Sequence, residues 1–133
     1  MTIPTISISD ISRSIGDDVH LLTGRATINA SALPALTGSA RQIEWAERIR
    51  AQALEAMGTY LGQQAESMAR RLHLPSMPSS AHLAPVEAAM AQAGKMLAER
   101  VAERASASWW IDARDELRDP ALAARALSRK IGA

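Results

Sequence analysis

Between Ile43 and Leu72 apolar side chains recur at three- and four-residue steps: Ile43, Ala46, Ile49, Ala53, Met57, Leu61, Met68 and Leu72. That period places them on one stripe of a helix. Ser39 followed by Gln42 is a capping-box pattern, so the helix is predicted to begin near Ala40. Gly58 and Gly62 interrupt the stripe, and each costs about 1 kcal/mol relative to Ala in a helix interior, which predicts a bend or break there. The Pro75–Ser80 stretch ends the helical reading, because Pro removes a backbone donor and disfavours helix in the preceding residue.

A second seam runs through Val86, Met90, Ala93, Leu97 and Val101, with Pro85 suited to the first turn of its helix. Glu99 and Glu103 form one outer stripe of this helix and Arg100 and Arg104 the next, a layout common beside helix–helix seams. Ser106 to Ser108 caps a short helix through Trp109, Ile111 and Leu117, and Asp119-Pro120 starts a final helix to Lys130 that stops at Gly132. Residues 1–37 read differently. Ile6-Ser7-Ile8-Ser9 alternates with period two, and Thr23-Gly24 lies amid mixed apolar and turn residues, leaving a short hairpin, an ordered arm and a partly disordered arm as alternatives. Pro34 and Gly38 mark the boundary. The fold class predicted is mainly α: one small helical bundle, residues 38–133, with an N-terminal extended arm or short β-hairpin over 1–37.

Composition narrows the function classes. Of the 47% hydrophobic residues, 27 are Ala, so the large apolar side chains are few and the core should be thin, with close helix approach and self-association as a homodimer left open. Lys and Arg number 15 against 14 Asp and Glu, which leaves no global field for nucleic acid or anionic membrane. Without cysteine there are no disulfides and no thiolate nucleophiles. With no apolar leader and no run of about 20 apolar residues, a cytoplasmic protein without a membrane partner is expected.

No catalytic pattern stands out. His20, His73 and His82 lack metal-ligand spacing, and no nucleophile elbow or phosphate-cradling glycine loop is present, so no enzyme activity, cofactor or metal is expected. Asp112, Asp115 and Glu116 read as solvated helix charge, with Arg114 and Arg118 as their ion-pair partners. The chemistry that remains is recognition. All three Trp fall in two segments, Trp45 in one and Trp109-Trp110 in the other, of a chain with no Phe and one Tyr. Adjacent helical residues point about 100° apart, so Trp109 and Trp110 occupy different faces, and one of them needs a second surface to cover it. Trp and Arg are enriched at binding hot spots, which makes Trp109, Trp110, Arg114 and Trp45 the candidate partner-binding residues. A competing arrangement uses Arg125, Arg129 and Lys130 of the last helix as a nucleic-acid surface, the short helix before it loosely resembling a helix-turn-helix.

The two Trp segments also carry a signature: Leu-Thr-Gly-Ser before Gln42-Ile43-x-Trp45-Ala46-x-x-Ile49-Arg50, and Trp110-Ile111-Asp112-x-Arg114. It resembles a functionally uncharacterised family of small bacterial proteins of phages, plasmids and other mobile elements. The resemblance covers about Leu33 to Arg50 and Ser106 to Arg114. It implies a non-enzymatic mobile-element accessory protein whose partner is a protein or nucleoprotein complex, for example a host or phage nucleoprotein machine inhibited in the anti-CRISPR manner. The alternatives are a small helical DNA-binding or regulatory protein and a structural helical dimer.

Overall fold

The computed structural model describes residues 4–129. Helix makes up 58% of them, with a small antiparallel β region at the N-terminus, so the mainly α expectation with an N-terminal hairpin holds at that level. The strands are β1 (Thr5–Ser9), β2 (Ser12–Gly16), β3 (Val19–Leu22) and β4 (Thr27–Ser31), followed by α1 (Ala40–Arg71), α2 (Ser80–Ala102), α3 (Ala107–Asp112), a 3-10 turn at Glu116–Arg118 and α4 (Pro120–Ser128).

β1 pairs with β4 from Thr5↔Ser31 to Ser9↔Thr27, and β2 pairs with β3 inside them, from Ser12↔Leu22 to Gly16↔Val19. The four strands are therefore one long two-stranded ribbon, reversed at Asp17-Asp18. It is kinked where Thr23 Oγ1 donates to the Asp10 carbonyl at 2.7 Å and Thr23 N–H to the Ile11 carbonyl at 3.0 Å. Asp10 and Asp18 both take positive φ, at the kink and the tip respectively, a conformation Asp tolerates better than most residues.

The ribbon lies against both long helices, β1 on α2 and β4 on α1. Three helix glycines make this approach possible. A Cβ at Gly58 would fall 2.3 Å from the Ala26 carbonyl oxygen, one at Gly62 2.4 Å from Arg25 Cα, and one at Gly94 2.7 Å from the Ile6 carbonyl oxygen. The Gly58 carbonyl accepts the Ala26 N–H at 2.9 Å, so helix and ribbon are joined by a backbone hydrogen bond. This corrects the expected break: α1 continues as one helix through Gly58 and Gly62, whose role is to admit another backbone. Ile6, Ile11, Ala26 and Leu36 share one hydrophobic cluster with Ile49, Met57, Leu97 and Leu127, and arm and helices thus form a common core.

The helix ends follow local chemistry. Ser39 and Gln42 form the predicted capping box, and Asp119 Oδ2 accepts Leu122 N–H at 2.9 Å ahead of Pro120. The start of α2 differs from expectation. It begins at Ser80, five residues before Pro85, because Ser79 and His82 form a second capping box in which His82 Nδ1 accepts the Ser79 N–H at 3.1 Å. Pro85 is tolerated inside the helix at an exposed position. The ribbon tip fastens this end too: Asp18 Oδ1 accepts Ser80 N–H at 2.9 Å, and His20 N–H donates to the Pro78 carbonyl at 3.0 Å. Hydrogen bonds from Ser80, with His20 beside it, hold the Asp18 carboxyl below the ordinary carboxylate range.

Candidate functional site

The two Trp segments meet. Thr37 forms a parallel bridge with Ser106, its N–H donating to the Ala105 carbonyl at 2.8 Å and its carbonyl accepting from Ala107 N–H at 2.9 Å. Gly38, at φ 148°, leaves space beside Ala107: a Cβ there would lie 3.2 Å from that of Ala107. α3 consequently packs on the start of α1, and residues some 70 positions apart share one surface.

Trp109 and Trp110 split as adjacent helical residues must. Trp110 is fully buried, and its indole N–H donates to the Arg104 carbonyl at 2.8 Å. In the folded chain it serves the core and presents no surface to a partner. Trp109 is half-buried and meets Trp110 edge to face, with ring centroids 5.0 Å apart. The Arg104 guanidinium covers the Trp109 ring at 4.6 Å from its centroid.

Sequence spacing puts Arg104 on an outer stripe beside a helix–helix seam, and the structure turns it inward at 2% exposure. Its guanidinium donates to the Arg100 carbonyl at 2.7 Å, to the Ala126 carbonyl at 3.0 Å and to the Arg129 carbonyl, tying the ends of α2 and α4 together. Burial lowers its pKa and Glu103 opposes that shift, but an arginine keeps its charge. The missed signal is an Arg two residues past the end of a helix, where a long fork reaches back to the last carbonyls.

Trp45 keeps 47% of its surface exposed, and Arg114 lies over its ring at 5.3 Å. Arg114 was expected to pair with the nearby carboxylates. Instead its guanidinium donates to the Ile111 carbonyl at 2.7 Å and turns to the indole, while Arg118 approaches Asp115 at 3.9 Å. Both partners are anchored: Trp45 in the second turn of a 32-residue helix, Arg114 by the α3 carbonyl. The cation–π contact therefore comes with little further ordering.

The competing basic surface is placed differently. Arg125 is exposed on α4, whose Ala123, Ala124, Ala126 and Leu127 are buried. Arg129 follows the helix and faces Glu116 at 3.8 Å. Lys130 lies outside the described residues. Among the described residues no group of three His, Cys, Asp or Glu side chains is placed to hold a metal ion, and no helix is long and apolar enough to cross a membrane. No family model, curated protein or solved structure matches the chain.

Proposed function

We propose that this protein acts by binding a macromolecular partner, without catalysis, through the surface around Trp45, Arg114 and the exposed part of Trp109. The observation that carries this reading is Trp45. A thin, Ala-rich core has few large side chains to bury, yet one of the three Trp is left half in water on a rigid helix, with a guanidinium fixed over its ring. Large rigid aromatics with Arg beside them supply the anchors of binding hot spots, where desolvation by a partner contributes most. The mobile-element resemblance of the surrounding signature directs the search to host or phage nucleoprotein machines, an anti-CRISPR-like inhibitor being one form of such a binder.

A photo-crosslinking residue in place of Arg41, exposed one helical turn before Trp45, should capture a discrete partner in the expressing cell. Trp45→Ala should then weaken binding to that partner by at least about tenfold while leaving the melt nearly unchanged, as for a truncated hot spot outside the core. An equal affinity for Trp45→Ala and the parent would refute the assignment.

A further inference from the structure

Contacts with the two long helices fix the direction in which the ribbon's backbone groups point. In an extended strand the N–H and C=O of one residue aim to the same side and alternate along the chain. At the entry to β4 both groups of Ala26 face α1: its N–H donates to the Gly58 carbonyl and its oxygen abuts Gly58 Cα. Ile28 and Ala30 therefore aim outward as Ala26 does, and Thr27, Asn29 and Ser31 aim at β1. The other edge gives the same phase independently, because Ile6, the partner of Ala30, turns its carbonyl away from β4 and onto Gly94. Beyond Ala26 the β4 edge has no such cover. Ile28 and Ala30 make no backbone hydrogen bond outside the ribbon among the described residues.

This edge opens on a groove of about 990 Å³. The helix α1 lines it through Ala51, Gln52 and Glu55, and Arg118 and Pro120 line it beside α4. Native sheets protect exposed edges with Lys, Pro, inward-pointing charge or a covering element. From Thr27 to Ser31 the edge carries none of these side chains. Two exposed guanidinium groups line the groove, Arg25 without an ion-pair partner among the described residues and Arg118 only 3.9 Å from Asp115, against the single carboxylate of Glu55.

We propose that the outer edge of β4 receives an extended, acidic segment of a partner protein as an added strand, pairing with Ile28 and Ala30 and placing carboxylates toward Arg25 and Arg118. Strand addition of this kind takes affinity from main-chain hydrogen bonds and selectivity from alternate side chains. The surface is separate from Trp45, so failure of one reading leaves the other standing.

The test uses the full chain and three blocked heptapeptides: one alternating valine and aspartate, its valine–lysine counterpart, and the aspartate peptide N-methylated at alternate residues. The aspartate peptide should slow hydrogen exchange of the Ile28 and Ala30 amides by about tenfold or more at saturation. It should bind several-fold more weakly to Arg118→Ala and at raised salt, and the other two peptides should not protect these amides. Ala30→Pro, which removes an outward donor, should abolish protection in a chain that stays folded by circular dichroism; should that variant not fold, the N-methylated peptide decides the same point. Unchanged exchange with the aspartate peptide, or equal protection by the lysine or N-methylated peptide, overturns the proposal. So does protection that appears with rising protein concentration alone together with a dimeric mass, since a second copy would then be the occupant.

Discussion

Replacing Gly58 with Ala sets two opposed effects against each other, and the structure decides the sign. In an isolated helix the change is favourable by about 1 kcal/mol, because Gly surrenders more backbone freedom than Ala. Here the added methyl carbon would stand 2.3 Å from the Ala26 carbonyl oxygen and 3.3 Å from its carbon, so the ribbon must retreat by roughly 1 Å, overpacking of a kind that costs about 1–3 kcal/mol. The retreat also weakens the 2.9 Å hydrogen bond from Ala26 N–H to the Gly58 carbonyl, about 1 kcal/mol more. The balance is a net loss of about 1–3 kcal/mol, or roughly 4–12 °C in melting temperature for a chain of this size. Urea and thermal unfolding followed by far-UV circular dichroism measure it directly. Gly94→Ala, at 2.7 Å from the Ile6 oxygen, should shift stability in the same direction by less. A Gly58→Ala protein as stable as the parent, or more so, would mean that the helix propensity term wins and that the ribbon is not seated on α1 through this glycine.

Trp110→Ala should cost about 3–5 kcal/mol, since it empties a fully buried site and orphans the Arg104 carbonyl, whereas Trp45→Ala should cost under about 1 kcal/mol; equal losses in denaturant titrations would contradict the burial of one and exposure of the other. The Asp18 carboxyl, lowered by its Ser80 hydrogen bonds, adds stability that is fully present above its ordinary pKa of about 3.9 and is lost as pH falls through its lower folded value. Unfolding of the parent and of Asp18→Asn should accordingly converge at acid pH and differ at neutral pH, and a difference independent of pH would show that the cap does not titrate.

Local chemistry alone determined the helix starts at Ala40 and Pro120, because Ser39 with Gln42 and Asp119 with Pro120 satisfy orphan N–H groups within one turn of chain. The same holds for the α1 stripe, where Ala46, Ile49, Ala53, Met57 and Leu61 are buried at helical spacing, and for the division of labour between Trp109 and Trp110. Trp45 and Arg114 were recognisable as residue types suited to contact, but their stacking depends on the Thr37–Ser106 bridge, which brings together segments distant in sequence. Three features were decided by tertiary structure. Gly58, Gly62 and Gly94 read as helix weak points until another backbone lies on them, since propensity counts the helix alone. Arg104 read as a charge on an outer stripe, because periodicity assigns a face to Cα but not to the far end of a long side chain that reaches the carbonyls of α4. The open edge of β4 is likewise invisible in a row of alternating residues: strand pairing fixes which backbone groups are used, and only the placement of α1 and α2 fixes which of the others are covered.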